Sequence, residues 1–350
     1  MKSLMESLLD DNLVNKTDEI IKDNIKQFLK NTYIGSANCE ISRYPNKDDK
    51  YEVSSTKNIE VTNYNITSLT NGSFVWIEVR GDFNCSRCSS LKSLEGAPEK
   101  VGGTFDCSDC KYLKSLKGAP KEVSNFYCIG CRSLKTLKGA PEKVGENFSC
   151  VDCQSLKTLE GASKEVGGSF YCSHCNSLTS LEGVPEKVGK NFNCSDCDSL
   201  TSLEGAPEKV GGTFDCSYCK SLNSLEGAPK KVIGGFNCIY CDSLKSLDGT
   251  PEKVGGTFDC SYCNSLKSLK GASKEVGGNF DCSECASLKS LEGAPKKVVG
   301  SFRCNSNKYL TSLEGAPKEV GDRFYCYDCV GKFTKEDVKK ISNVKNNIIC

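Results

Sequence analysis

Val254-Gly-Gly-Thr-Phe-Asp-Cys-Ser-Tyr-Cys-Asn-Ser-Leu-Lys-Ser-Leu-Lys-Gly-Ala-Ser-Lys-Glu-Val276 is one period of a sequence that repeats itself along most of its length. Its Phe258 recurs as Phe83, Phe105, Phe126, Phe148, Phe170, Phe192, Phe214, Phe236, Phe280, Phe302 and Phe324, at a constant step that is shortened by one only between Phe105 and Phe126. Twelve coils follow. The shared pattern is V-G-G-x-F-x-C-S-x-C-x-S-L-x-S-L-x-G-A-P-x-x-V, with Ser273 in place of the usual Pro. Phe258 and Cys260 alternate with Asp259 and Ser261, the period of a short strand with one buried face. Leu266 and Leu269 return inward, Gly271 permits a bend, and Pro251 of the preceding coil fixes the chain before the next Val. A strand of three to five residues is not stable alone, so equivalent strands must pair from coil to coil. The expected fold is therefore a repeat solenoid, mostly β. It has a parallel sheet on one face, short turns on the other, and small helical caps at both ends. Twelve coils at about 4.8 Å make a sheet of roughly 55 Å.

A 350-residue chain would ordinarily split into two or three domains, but stacked coils bury their apolar faces against neighbours and can form one unit of any length. Positive and negative side chains nearly cancel, 46 against 45, with no block of like charge that would read as a nucleic-acid tail. Ser3, Glu6 and Ser7 interrupt the apolar residues at the start, so no signal-peptide run is expected, nor any membrane-spanning stretch. The expectation is a cytoplasmic protein, in the producing or host cell, whose 25 cysteines are thiols by default.

The chain divides into four stretches. Residues 1–35 read as an N-terminal helical cap, in which Thr17 can N-cap a helix to about Asn31 with the stripe Ile21, Ile25, Phe28 and Leu29. Residues 36–80 read as an irregular β capping region, carried by Ile59, Val61, Tyr64 and Ile66, then Phe74, Trp76 and Ile77. Together these two stretches could instead form a small functional domain. Residues 81–330 are the twelve-coil solenoid. Residues 331–350 form a C-terminal helical cap beginning at Thr334, with Val338 and Ile341 inward.

The unit F-x-C-x-x-C-x-x-L, as in Phe105, Cys107, Cys110 and Leu113, resembles part of the leucine-rich-repeat segment L-x-x-L-x-L-x-x-N/C-x-x-L. Asn307, Leu310 and Leu313 restore its Asn form, and Val123 supplies its first position in the short coil. In the other coils the Val stands one residue further from the Phe and departs from that pattern. S-L-E-G-A-P-x-x-V-G-G-x-F-x-C is similar to repeat proteins of tailed bacteriophages and some bacteria. The resemblance covers residues 59–329, about three quarters of the chain. It implies a leucine-rich-repeat-like solenoid and says almost nothing about activity.

C-x-x-C occurs eleven times. Two such pairs could hold a tetrahedral zinc ion or take part in redox chemistry. Both cysteines nonetheless fall on inward columns, where a thiol serves as a small apolar group with a weak donor. Coil eleven places Asn307 at the second cysteine, and pairing coils into zinc sites would strand Cys326 and Cys329. The residue-level reading favours a thiol ladder, with no metal and no cofactor. His174, the single histidine, occupies an outward variable position. Serines such as Ser221, Ser243 and Ser265 are repeat columns, and pairs such as Gly255-Gly256 lack the following helix of a phosphate loop. No catalytic constellation is present, so the chain is read as not an enzyme.

The outward positions carry what individuality there is. The column after Phe and the column before the second Cys hold nine acids and two bases between them, whereas lysines such as Lys100, Lys143, Lys209 and Lys253 accompany the turns. Tyr218, Tyr240 and Tyr262 occupy one column in successive coils. Parallel stacking should line them up about 4.8 Å apart. Asp215 and Asp259 would flank them, with Tyr171 and Asp196 on the same face, giving an apolar centre with an acidic rim. The expected function is non-enzymatic binding of a protein partner with a basic or amphipathic surface through the strand face. Nucleic acid is disfavoured there because phosphates would meet acids, and no membrane is involved. A metal- or thiol-binding role and assembly within a phage particle are the alternatives.

Overall fold

The period-2 alternation turns one Phe inward per coil. A computed structural model, describing residues 2–43 and 50–350, buries every Phe from Phe83 to Phe324 completely. Most strands are shorter than the three to five residues expected; Thr104–Asp106 and Asn125–Tyr127 reach three. Phe258–Asp259, for example, is a two-residue strand in parallel register with Phe236–Asn237 and Phe280–Asp281. The chain turns away at Ser261 and Tyr262, yet hydrogen bonding continues past the strand. The Cys260 N–H donates to the Asp281 carbonyl at 2.9 Å and the Tyr262 N–H to the Ser283 carbonyl at 3.0 Å. Among the described residues fifteen strands join into one sheet, fourteen of them in parallel. Beneath it the Phe rings stack, as close as 4.8 Å between centroids for Phe148 and Phe170 and as far as 5.7 Å across the short step from Phe105 to Phe126.

The opposite face is more regular than a row of turns. The x-Val pair of each coil also forms a two-residue strand; among the described residues ten of these, from Glu122–Val123 to Glu319–Val320, and Asn343–Val344 make a second parallel sheet, while Lys100–Val101 joins the N-terminal one. Lys253–Val254 lies between Lys231–Val232 and Glu275–Val276, with the three valines in register and buried. Nearly equal coil length is the cause: with almost every coil having the same number of residues, each Val arrives at the same height, and the one shorter coil still sets Val123 opposite Val144. The Phe, Cys, Leu and Val columns then form one continuous apolar cluster. Gly271 bends the chain with φ of 85°, and a Cβ there would collide with the Asp248 backbone of the coil below.

Both ends are closed by atypical, slightly longer coils: Ile59 is in register with Phe83, and Ile348 with Phe324. At the N-terminal side α1 runs Lys2–Thr32, so Thr17 lies within the helix and does not cap it. Residues 2–16 contain neither Gly nor Pro, and the helix extends through them. Ile25 and Leu29 are buried, and Phe28 packs 5.9 Å from Phe74. Tyr33–Ile34 then pairs antiparallel with Glu60–Val61, and Cys39–Arg43 antiparallel with Tyr51–Ser55. Ile59, Val61, Phe74 and Trp76 are strand residues and buried; Ile66 is buried outside a strand, and Tyr64 is exposed. Among the described residues no helix is long and apolar enough to cross a membrane.

At the other end Thr334 caps α2, Lys335–Lys339. Its hydroxyl accepts from the Asp337 N–H, and the Asp337 carboxylate accepts from the Thr334 N–H at 3.0 Å. Val338 is buried, with Ile341 packed against the core. The helix is a connector: after it Asn343–Val344 and Ile348–Ile349 add another rung to each sheet. Cys350 thereby takes the first-cysteine position one rung beyond Cys326, with Cα atoms 4.6 Å apart, and the two form a disulfide. The expectation that all cysteines are thiols fails at this pair.

Candidate interaction surface

The column before the second cysteine sits in a turn just past the strand, and the turn demands a left-handed residue. Asp109, Asp152, Asp196 and Asp328 adopt φ of 54–57° there, and Gly130 adopts 68°. Asp and Gly tolerate this region; Tyr has no such preference. Tyr218, Tyr240 and Tyr262 nevertheless hold φ of 59°, 56° and 59°. Arg87, His174, Glu284 and Ser306 hold the same geometry without a stack, so the coil imposes it; what the tyrosines add is stacking. Their ring centroids lie 4.9 Å and 4.4 Å apart, nearly parallel, an arrangement of about 0.5–1.5 kcal/mol per pair. Each backbone N–H also donates to the next coil, from Tyr218 to Ile239 and from Tyr240 to Ser261.

This geometry changes the surface that the rings offer. Their faces pack on one another, so the ring edges, the hydroxyls and the two outermost faces meet solvent. Tyr218 is 44% exposed and Tyr262 37%. The Tyr240 phenol is raised above its ordinary value, first by burial and then by the neighbouring Tyr262.

The expected acidic rim is also arranged differently. Asp215 turns back onto its own loop, accepting from the Ser217 N–H at 3.0 Å and hydroxyl at 2.6 Å, and Asp259 does the same with Ser261 at 3.0 Å and 2.7 Å. Burial pushes the Asp259 carboxyl upward, against the lowering effect of the Ser261 hydrogen bonds. Asx turns take these carboxylates out of the rim because the tight corner needs an acceptor. The acids that border the tyrosines are Asp196 and Glu284, one rung to either side in the same left-handed column. His174 lies 3.8 Å from Asp196. Tyr171 is a strand residue paired with Ser149 and Asn193, two rungs from Asp215 and apart from the stack.

A second aromatic group escaped the sequence reading. The Arg303 guanidinium lies 5.2 Å from the centre of the Tyr325 ring, and Tyr327 packs edge-on to Tyr325. Columns of mixed residues gave no periodic signal there. The left-handed turn was not read from the sequence either, which put this column on the strand face; its four Asp and one Gly were the signal that could have marked it.

The C-x-x-C columns face inward. Cys216 Sγ donates to the Asn237 carbonyl of the next coil at 3.3 Å, and Cys241 Sγ to the Cys216 carbonyl of the preceding one at 3.2 Å. The same second-column bond recurs from Cys110 to Cys329. Burial raises thiols such as Cys172, Cys194 and Cys282 well above the ordinary range. In coil eleven Asn307 replaces the thiol. Its amide nitrogen donates to the Cys282 and Cys304 carbonyls at 3.0 Å and 2.8 Å, and its oxygen accepts from the Cys285 N–H. Among the described residues no group of three or more His, Cys, Asp or Glu side chains is arranged to hold a metal ion.

No protein-family model and no curated protein matches this chain. Among solved structures it is similar to a leucine-rich repeat protein from Bacteroides ovatus, at 15% identity over 89% of this chain and 98% of that one, with a TM-score of 0.33. A likeness that distant carries no argument by itself. Coil geometry carries the assignment: two facing parallel ladders, an inward Leu pair and an Asn/Cys rail make this chain a leucine-rich-repeat-like solenoid.

Proposed function

We propose that this protein is a non-enzymatic scaffold that binds a protein partner through the edge of the strand face over coils seven to nine. The observation that carries this reading is the tyrosine stack. Three large side chains occupy left-handed positions that suit Asp or Gly, the two outer rings stay substantially exposed, and Asp196 and Glu284 border them. Tyrosine edges with hydroxyls, beside carboxylates, match a basic or amphipathic partner. Catalysis has no comparable support, since the single histidine lies at the surface with one carboxylate 3.8 Å away. A metal- or thiol-storing role is disfavoured by thiols that are buried and already spent as donors to carbonyls.

The test is affinity capture from the producing cell under reducing conditions, comparing the parent with a Tyr218→Ala, Tyr240→Ala, Tyr262→Ala variant. The variant loses two ring pairs, so its Tm should drop by only a few degrees. Specific loss of a captured protein, with fold retained, supports the reading. Capture of the same proteins by both chains rules out the tyrosine edge as the site.

A further inference from the structure

On the second sheet the residue before each Val forms a column that runs Lys143, Glu165, Lys187, Lys209, Lys231, Lys253, Glu275, Lys297, Glu319. Where the signs alternate, neighbours pair across the coils: Lys253 with Glu275 at 3.0 Å and Lys297 with Glu319 at 3.2 Å. The alternation breaks in the middle. Lys187, Lys209 and Lys231 are stacked rung on rung and exposed, with no ion pair among the described residues. Adjacent Glu208 is held by Lys230 at 2.6 Å, and Lys187 acts on it only electrostatically. Like charges directly opposite each other destabilise a ladder. The stack is therefore a cost to the fold that an anionic ligand would relieve.

Beside Lys187 and Lys209 runs an open groove of about 880 Å³. Gly145, Gly167, Gly189 and Gly211 follow one column along it, leaving a floor without side chains, and Ile233, 51% exposed, stands next in that column and closes the trough. The lining carries Lys143, Lys164, Lys187 and Lys209 against Glu165 and Glu186. From Gly145 to Ile233 are four rungs, roughly 19 Å at sheet spacing, the span of about six extended residues.

We propose that this groove binds an extended acidic peptide segment of a partner protein, with its carboxylates on Lys187 and Lys209, Lys231 standing one rung beyond, and small side chains over the glycine floor. A single-stranded nucleic acid fits less well. The lining offers no aromatic ring on which bases could stack. The site is on the other sheet from the tyrosine edge and does not depend on it.

The test uses fluorescein-labelled (Glu-Ala)4 with the full chain at 50 mM salt, read by fluorescence anisotropy. The decisive variant is Lys209→Glu. It sets a carboxylate between Lys187 and Lys231, the alternation that the rest of the column already uses, so it keeps or improves the fold. Binding by the parent, at least tenfold weaker binding by Lys209→Glu, and loss of binding by the parent at 500 mM salt are the expected results. Equal binding by the two chains, or none by the parent at 1 mM peptide, overturns the site. Stronger binding of a labelled oligothymidylate of eight nucleotides than of the peptide overturns the choice of ligand. The tyrosine variant should bind the peptide like the parent, so failure here and failure of the tyrosine edge are separable.

Discussion

Asp259 shows how one corner residue divides its allegiance between fold and surface. Its carboxylate caps the turn at Ser261, yet burial raises its pKa from the ordinary 3.8. Asn193 and Asn237, in the same column, make the equivalent bond with an uncharged oxygen, to Ser195 at 2.9 Å and Ile239 at 3.1 Å. Asp259→Asn should therefore keep the turn and remove the desolvation penalty. The sign follows from linkage: a carboxyl raised in the folded state is penalised when ionised, and the penalty fades as pH falls through the folded pKa toward 3.8. The variant should have a higher Tm than the parent at pH 7, and the difference should vanish by about pH 3. A lower Tm at pH 7 would mean that the charge itself is needed at the corner.

At the level of elements, the caps follow rules different from those of the coils. Thr334 and Asp337 exchange hydrogen bonds at the start of α2, and that capping box fixes the direction of a five-residue helix too short to stand alone. Thr334→Ala should cost about 1 kcal/mol. The loss should be local, because the strand that the helix touches most is the last rung, Ile348–Ile349. Hydrogen exchange should show faster exchange over residues 335–350 with protection of coils one to ten unchanged. Loss of protection throughout would show that the cap is coupled to the whole stack. α1 was only half legible. Its docking stripe, Ile25 and Leu29, is readable from spacing, but Thr17 offered a capping signal that uninterrupted helix formers on both sides overrode.

Across the whole molecule, contacts pass between neighbouring coils and stability should behave as a one-dimensional sum. Leu247 is fully buried in coil eight. Leu247→Asp places a carboxylate with no partner in that core and should cost several kcal/mol. The expected damage is a patch of lost hydrogen-exchange protection around residues 225–270, with distant coils intact. Uniform unfolding would show the solenoid to be more cooperative than nearest-neighbour contacts allow.

Periodicity by itself determined the number of Phe coils, the buried columns and the parallel Phe ladder, because a side chain recurring once per coil at constant spacing has one consistent place in a stack. Asn307, standing where other coils have a second cysteine, counted against zinc from sequence; its hydrogen bonds to the neighbouring coil came from the structure. The second sheet was not legible, since a single Lys-Val dipeptide has no strand signal and becomes a strand only when identical coils align it. Tertiary structure alone decided which carboxylates face solvent: Asp215 and Asp259 alternate outward like any surface acid, but a tight corner pulls them inward. It alone brought Cys350 over Cys326, because α2 replaces the repeat pattern in the coil between them. The three stacked lysines were visible as letters. Their consequence required the register that sets each one opposite another instead of opposite a glutamate.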